Sequence, residues 1–200
     1  MSAKRIAISL AMVIGTVSSP AFAQSDTPEK NEVSVQAFGS FVKDTTKDGI
    51  RNTATNSGGV LESYRHFFDV HNGIEGNYGY SLNSQNYVSG SGVLGGRSYS
   101  HELSAAYVFR VPMRNITPFV LAGVGSLIFD PTGLAGASSQ GRASFVYGAG
   151  ADIRFSQHIF MRVEYRGFVY NSPTFGLTAL AGDDRTTHRV EPSLGFGYRW

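Results

Sequence analysis

Residues 158–170 read HIFMRVEYRGFVY, and the alternation within this stretch decides the fold of the chain. Most odd-numbered positions are apolar, whereas the even-numbered positions carry charged or aromatic side chains. The two sets are Ile159, Met161, Val163, Tyr165, Gly167 and Val169 against Phe160, Arg162, Glu164, Arg166, Phe168 and Tyr170. Because successive side chains of a β-strand point to opposite faces, the stretch predicts a strand with one apolar face and one charged face.

Strand-like segments recur along the chain, and the sequence after residue 23 has no convincing helical period. We predict strands at 33–42, 59–68, 73–82, 98–110, 116–129, 142–155, 158–170 and 187–200. The connections between them are 43–58, 69–72, 83–97, 111–115, 130–141, 156–157 and 171–186. Long and short connections alternate, so an up-and-down barrel places the long loops 43–58, 83–97, 130–141 and 171–186 at one rim. Short turns at one rim and long loops at the other are typical of outer-membrane barrels.

The first 23 residues have the organisation of an export signal. Lys4 and Arg5 precede an apolar run at 6–17, and Ala-Phe-Ala at 21–23 is a small-x-small cleavage site. A retained membrane anchor is the alternative, but the run is short for a bilayer span. The predicted organisation is a cleaved signal peptide at 1–23, a flexible lead at 24–32 and a barrel domain at 33–200.

The composition of the chain excludes several classes of function. The signal contains two of the 17 basic residues and none of the 15 acidic ones, so the mature chain is close to neutral. Nucleic-acid binding usually needs a basic stripe, and we expect no such partner. The chain has no cysteine, so an exported domain must rely on backbone pairing and packing. Abundant glycine (24), tyrosine (10) and phenylalanine (14) suit a β-barrel.

The apolar face of the strands fits two arrangements. A soluble sandwich or lipocalin-like barrel buries that face, whereas a membrane barrel turns it toward lipid and keeps a polar interior. Aromatic residues near both strand ends favour the membrane. We predict an aromatic girdle of Phe41, Tyr80, Tyr99, Phe129 and Phe145 at the long-loop rim and Tyr107, Phe109, Phe155, Tyr198 and Trp200 at the other. Smaller aliphatic residues, Ala105, Leu121, Ala149, Val163 and Leu194, lie between the two rims.

Ionisable residues recur on the opposite face at mid-strand, where contact with lipid would be costly. We predict that they form a structural charge network in the lumen, made of Arg65, Glu75, Glu102, Asp152, Arg154, Arg162, Glu164, Arg166, Glu191 and Arg199. Segment 59–68 breaks the pattern, because the parity that sends Tyr64 and Phe68 outward also sends Glu62 and His66 outward. Glu62 therefore lies above the lipid, or the register of 59–68 differs from this assignment.

The sequence resembles the small eight-stranded outer-membrane barrels of the OmpA/OmpX-like group over almost all of the mature chain. The resemblance is carried by PFVLAGVGSLIF (118–129), SFVYGAGADIRFSQHIFMRVEYRGF (144–168) and LGFGYRW (194–200). It implies an all-β fold, an eight-stranded antiparallel up-and-down transmembrane β-barrel. The sequence ends with the predicted barrel, so we do not expect the peptidoglycan-binding domain of larger OmpA proteins.

The C-terminal alternation resembles the signal by which the barrel-assembly machinery recognises its clients. The residues that match it are Leu194, Phe196, Tyr198 and Trp200. The resemblance implies the assembly machinery and periplasmic chaperones as partners during biogenesis, and outer-membrane lipid and lipopolysaccharide afterwards. A C-terminal aromatic residue that is merely packed is the alternative interpretation.

The predicted lumen is narrow, because side chains can fill the interior of an eight-stranded barrel. Buried charges are costly unless they are paired, so we expect the inward Arg and Glu residues to plug the lumen. The alternative is a gate in which rearranged ion pairs admit small ions.

Some barrels of this size are lipid A-modifying enzymes, and the deacylases among them use a His and a Ser two residues apart. No His-x-Ser occurs here, and His101 differs in strand parity from Ser98, Ser100 and Ser104. The histidines have no metal-ligand spacing, so we expect no catalytic, metal or cofactor site.

These features predict an integral outer-membrane protein with a structural or surface-interaction role and four long surface loops. Two alternatives stay open: an adhesin that acts through its loops, and a lipid A-modifying enzyme. The sequence does not identify a surface ligand.

Overall fold

The computed structural model describes residues 29–42, 45–47, 50–54, 57–89, 92–132, 139–171 and 186–200. The predicted signal peptide 1–23 and the lead up to residue 28 lie outside the described residues. Parts of all four predicted long loops also lie outside them. Within the described residues, no helix has the length and apolar character needed to span a bilayer.

Ten antiparallel strands make up the described structure. They are β1 Asn31–Val42, β2 Thr45–Lys47, β3 Ile50–Ala54, β4 Ser57–Phe67, β5 Asn72–Ser89, β6 Gly92–Arg110, β7 Ile116–Thr132, β8 Gln140–Arg154, β9 Ile159–Asn171 and β10 Thr186–Arg199. Eight of them follow the order β5-β4-β1-β10-β9-β8-β7-β6, and pairing of β6 with β5 closes the sheet. The predicted eight-stranded up-and-down β-barrel is confirmed.

The strands extend farther on the long-loop side than the sequence predicted. Strands β2 and β3 lie in the predicted loop 43–58, and the β5–β6 ladder continues through most of the predicted loop 83–97 to Ser89↔Gly92. These stretches are mainly polar, and their few apolar residues, such as Tyr87, Val88, Val93 and Leu94, do not alternate with polar ones. They therefore lack the pattern that marks a strand with one buried face. The predicted loop lengths at 43–58 and 83–97 were therefore wrong.

Strand β1 also begins earlier than predicted, at Asn31. The Asn31 amide donates to the Trp200 carbonyl at 3.1 Å, and the Trp200 amide donates to the Asn31 carbonyl at 3.0 Å. Asn31 and Glu32 thus belong to the barrel, and the predicted lead 24–32 was too long at its C-terminal end. Asn31 and Glu32 are both polar, so no apolar residue marks the start of this strand in the sequence.

The barrel has a polar interior and an apolar exterior. Arg162 and Arg166 are almost fully buried inside it, whereas Val124 on the outer face is 67% exposed. Large apolar side chains cover the outer face around the barrel; they include Val35, Val60, Leu103, Val120, Phe145, Val163, Leu194 and Phe196. A contiguous apolar belt of this extent fits lipid and not water.

Aromatic residues border this belt as predicted at nine of ten positions. Tyr80 stacks on Tyr99 at the long-loop side, with ring centroids 5.9 Å apart, and Tyr198 stacks on Trp200 at the other side, at 6.1 Å. Phe129 is the exception, because it is buried in the lumen. Leu121, one of the aliphatic residues predicted to lie on the outer face, is buried there as well. Strand β7 carries apolar residues at both parities, so alternation alone did not decide which face of 118–129 points inward.

The turn that joins β4 to β5 is fixed by the carboxylate of Asp69. The backbone amides of His71 and Asn72 donate to Asp69 Oδ1 at 2.7 and 2.8 Å, and the Asn72 side-chain amide donates to both carboxylate oxygens. The hydrogen bonds from the Asn72 side chain, followed by those from the two backbone amides, hold the pKa of Asp69 below its usual range. The ionised form of Asp69 therefore stabilises the turn.

The stability contribution of Asp69 depends on pH. A carboxyl group with a lowered folded-state pKa stabilises the protein above the unfolded value of about 3.9 and loses that contribution as the pH falls further. We expect Asp69→Ala to lower the urea midpoint of unfolding at neutral pH, and the difference from wild type to shrink below that value. A difference that stays constant into acid would contradict an ionic contribution. Asp69→Asn, which keeps an acceptor oxygen without the charge, is the control.

Candidate functional site

The lumen is the candidate site, and Arg162 of β9 organises the part nearest the short turns. Its Nε donates to Asp152 Oδ1 at 2.7 Å, and its Nη2 donates to Asp152 Oδ2 and Glu32 Oε2 at 2.9 Å each. Its Nη1 donates to Ser34 Oγ at 3.2 Å. The inward faces of β1, β8 and β9 are thus joined through one guanidinium.

The middle of the lumen is held by Arg166 and Arg65. Arg166 Nη2 donates to Glu164 Oε1 at 2.7 Å and to Glu75 Oε1 at 2.9 Å. Arg65 pairs with Glu75 through its Nε and lies 3.6 Å from Glu164 Oε2 through its Nη2. Each carboxylate is shared between two guanidinium groups, which offsets part of the desolvation cost of burying the charges.

The surface-side part of the lumen contains Arg189 with two acids. Arg189 Nη2 forms an ion pair with Glu191 and lies 3.5 Å from Glu102 Oε2. Its Nη1 donates to Ser100 Oγ at 3.1 Å. Strands β6 and β10, which lie on opposite sides of the barrel, meet here.

Aromatic rings line the lumen beside these charges. The guanidinium carbon of Arg65 lies 3.9 Å from the ring centre of Phe119, and that of Arg110 lies 3.4 Å from the ring centre of Phe67. These are distances at which a cation is attracted to the face of a ring. The buried aromatic and aliphatic side chains form a cluster of Phe67, Ala106, Val108, Phe119, Leu121, Leu127, Phe129, Val146, Phe168 and Tyr170.

The structure places nine of the ten predicted network residues inside the barrel. These are Arg65, Glu75, Glu102, Asp152, Arg162, Glu164, Arg166, Glu191 and Arg199. Arg154 does not join them, because β8 ends at this residue and its side chain is exposed at the rim. Arg154 has the strand parity of an inward-facing residue. Parity gives the face of the strand but not the height of a residue along the barrel axis.

Among the residues whose burial is described, three buried charges were not in the predicted network: Glu32, Arg110 and Arg189. Glu32 contacts both Arg110 and Arg162, at 2.8 and 2.9 Å. It was assigned to the lead, although it shares parity with the inward Ser34 and Gln36 of β1. Arg110 and Arg189 were on the charged faces of their strands. They lie near strand ends, where the sequence does not show whether a side chain reaches the lumen.

In the described part of the barrel, an acid lies on the outer face within the apolar belt. Glu62 of β4 is exposed, and it lies opposite Val35 of β1 and Tyr78 of β5 in the ladder. Tyr78 hydroxyl and His101 Nδ1 are 2.9 Å apart on the same face. The register of 59–68 agrees with the parity assignment, so Glu62 does point toward lipid.

Removing the lipid-facing charge should stabilise the barrel. A charge on the lipid face costs free energy, and an acid costs less than the roughly 2–4 kcal/mol of a midplane Arg or Lys. We expect Glu62→Leu to raise the free energy of unfolding in vesicles by about 1–2 kcal/mol, measured by urea titration. Glu62→Gln should give a smaller gain. A loss of stability in Glu62→Leu would mean that Glu62 has a favourable partner.

Ser100 and Ser104, which were weighed as catalytic partners of His101, do not share its face of the barrel. Ser100 and Ser104 are buried in the lumen, whereas His101 lies on the opposite, outer face. Among the described residues, no group of three His, Asp or Glu side chains is arranged to hold a metal ion.

The C-terminal alternating residues lie on the outer face beside the closing seam. Leu194, Phe196, Tyr198 and Trp200 are about half exposed. Tyr198 and Phe196 lie opposite Val33 and Val35 of β1, so they extend the apolar belt across the junction of the first and last barrel strands.

Comparisons with known proteins agree with this architecture. A family model described as "Outer membrane protein beta-barrel domain" matches residues 9–199. No curated protein matches the sequence.

Several solved structures have the same fold. OprG of Pseudomonas aeruginosa matches at 15% identity and a TM-score of 0.61, covering 86% of this chain and 96% of that one. Ail, the attachment invasion locus protein of Yersinia pestis, matches at 20% identity and a TM-score of 0.53, covering 87% and 100%. Neisserial surface protein A matches at 10% identity and a TM-score of 0.61, covering 85% and 97%. The match of the family model to nearly the whole chain, together with the closed barrel, shows that this protein belongs to the outer membrane protein beta-barrel domain family.

Proposed function

We propose that this outer-membrane barrel is a plugged structural scaffold that presents its surface-side strands and loops to a ligand outside the cell. The observation that carries the plugged lumen is the interlocked set of buried ion pairs. Arg162, Arg166 and Arg189 contact acids from strands on several sides of the barrel, and each of these arginines is at most 1% exposed. A continuous water-filled path would leave such groups hydrated.

The plug can be tested by measuring conductance. Purified barrel in a planar bilayer should give no stable open channel at neutral pH. Arg166→Ala, which removes a guanidinium from the middle of the lumen, is the comparison variant. Stable channels in the wild-type protein would contradict the plug and favour the ion-gate alternative.

An asymmetric sheet above the barrel supports the surface role. Strand β5 pairs with β4 only up to Ser81 and then continues to Ser89, with β3 as its new neighbour from Gln85 to Val88. The extension is roughly 25 Å long at about 3.3 Å per residue. It forms a wall of β2, β3, β5 and β6 on one side of the rim. Edges of such walls are common places for strand addition or ligand contact.

The similarity to Ail is consistent with this role, since that protein is named for attachment and invasion. Shortening the β5–β6 extension, by replacing 84–97 with a tight turn, should abolish binding of cells that express the protein to host surfaces. A matched deletion within 172–185 separates the wall from the remaining loops. Unchanged adhesion in both variants would contradict the surface-binding role, and a structural scaffold would then be the remaining proposal. An altered lipid A mass on gene deletion would instead support the enzyme alternative.

Both variants must still be inserted in the membrane for this comparison. Heat modifiability on SDS gels, with boiled and unboiled outer membranes side by side, checks that each barrel is folded. We expect the wild-type protein in the outer-membrane fraction with a heat-dependent shift. Protein found only in the soluble periplasmic fraction would contradict the localisation.

We also propose that the barrel-assembly machinery and periplasmic chaperones recognise Leu194, Phe196, Tyr198 and Trp200, and that lipopolysaccharide and other outer-membrane lipids contact the apolar belt. The exposed C-terminal residues beside the β1–β10 seam support this proposal. Trp200→Ser should lower the amount of protein in the outer membrane while refolding of the purified chain into vesicles stays efficient. Equal losses in both assays would mean that Trp200 acts in packing alone.

A further inference from the structure

Glu102 and Glu191 form an unusual pair in the surface-side part of the lumen. Glu102 projects from β6 and Glu191 from β10, and both are at most 2% exposed. Both carboxyl groups reach the same nitrogen, Arg189 Nη2, which pairs with Glu191 Oε1 and lies 3.5 Å from Glu102 Oε2. Among the described residues, no donor gives any of their four oxygens a hydrogen bond of ordinary geometry.

The position of Glu102 is built into the backbone. Its side chain lies against Gly79 of β5, and a Cβ at that position would be 2.3 Å from Glu102 Cγ. Any larger residue at 79 would push the carboxyl group away from β5. The glycine therefore allows Glu102 to lie inside the lumen, where it meets the side chain from the opposite strand.

Within the described part of the chain, one cation lies close to both acids of the pair. Arg189 of β10 forms an ion pair with Glu191 and lies 3.5 Å from Glu102. Arg166 of β9 is 3.9 Å from Glu102, but it donates at 2.7 and 2.9 Å to Glu164 and Glu75. One guanidinium thus serves both acids at close range.

Most of the other described groups on this side of the lumen are neutral. Ser81 of β5 and Ser100 of β6 accept hydrogen bonds from Arg189, and Tyr170 of β9 is buried on the same side. Arg142 of β8 lies opposite Leu127 in the ladder, and it is only partly buried. Leu127 of β7 lies opposite Glu102 and is apolar.

We infer that Glu102 and Glu191 bind one proton between them, so that this part of the plug consists of a protonated carboxyl pair and one guanidinium. Two ionised carboxylates that meet at one guanidinium nitrogen repel each other strongly in a buried site, and sharing one proton removes that repulsion. The proton also provides a hydrogen bond between the two carboxyl groups. With it, the group has one negative and one positive charge.

Infrared spectroscopy of the full-length protein in vesicles tests the shared proton. We expect the wild-type protein to show the carbonyl band of a protonated carboxylic acid at neutral pH. Glu102→Gln and Glu191→Gln should each abolish the band, because the remaining carboxylate then pairs with Arg189 and accepts a hydrogen bond from the new amide. Glu62→Gln and Glu75→Gln, which leave the pair intact, should both keep the band.

Stability provides a second readout. Glu102→Gln and Glu191→Gln leave the net charge of the group unchanged, so both variants should fold and keep the wild-type urea midpoint. Glu75→Gln removes a charge that faces Arg65 and Arg166, and its midpoint should fall. The inference is overturned if the wild-type band is missing, survives both substitutions or disappears in Glu62→Gln. Failure of Glu102→Gln and Glu191→Gln to fold would overturn it as well. The conductance and adhesion experiments do not test the shared proton. The proposed function can therefore be contradicted or supported independently of this inference.

Discussion

Replacing Arg162 by methionine is expected to lower the free energy of unfolding by about 3–5 kcal/mol, the usual cost of breaking a buried ion pair from one side. The substitution removes hydrogen bonds to Asp152, Glu32 and Ser34 at once. Methionine keeps much of the side-chain volume, so the loss reports the uncompensated carboxylates more than a cavity.

Urea unfolding of the refolded protein in vesicles measures the effect. Arg154→Met is the matched control, since Arg154 has the same strand parity but an exposed side chain. A surface substitution of this kind should change the stability by no more than about 0.5 kcal/mol. A double-mutant cycle with Asp152→Asn separates the Arg162–Asp152 coupling from the contact with Glu32. Equal effects of Arg162→Met and Arg154→Met would mean that the lumen network does not stabilise the barrel.

Introducing arginine at the neighbouring residue, Val163, should cost roughly 2–4 kcal/mol for a different reason. Val163 is exposed on the outer face, opposite Ala151 of β8 and Leu194 of β10. The guanidinium would enter the apolar belt, where lipid offers neither water nor a counter-charge. Arginine is therefore stabilising at position 162, which faces the lumen, and destabilising at the adjacent position 163, which faces lipid.

The same urea titration in vesicles measures Val163→Arg, with Gln157→Arg in the exposed β8–β9 turn as its control. We expect the control to match the wild-type protein. Repeating the pair in bilayers of different thickness tests depth, because the penalty should diminish where Val163 lies nearer an interface. A stable Val163→Arg protein would mean that this face does not contact lipid.

The sequence alone determined the class of fold and the number of barrel strands. Strands such as β9 and β10 must separate lipid from lumen, so residues such as Arg162 and Val163 alternate strictly and the pattern is visible in one dimension. The same periodicity assigned nine of the ten predicted charges to the interior. Where apolar residues stand at both parities, as in β7, or do not alternate with polar ones, as in the extensions of β5 and β6, the periodicity is absent and the assignments failed.

Tertiary structure decided which charges meet. Arg162 and Glu32 are 130 residues apart in sequence and 2.9 Å apart in the lumen. Glu102 and Glu191 reach one guanidinium, that of Arg189, from strands on opposite sides of the barrel. Alternation gives the face of a residue, but not its height along the barrel axis, which depends on the register of every ladder between two strands. For that reason Arg154 fell outside the network and Glu32, Arg110 and Arg189 joined it. Pairing in a closed barrel is a property of the whole sheet, whereas the alternation that predicts a strand belongs to each segment by itself.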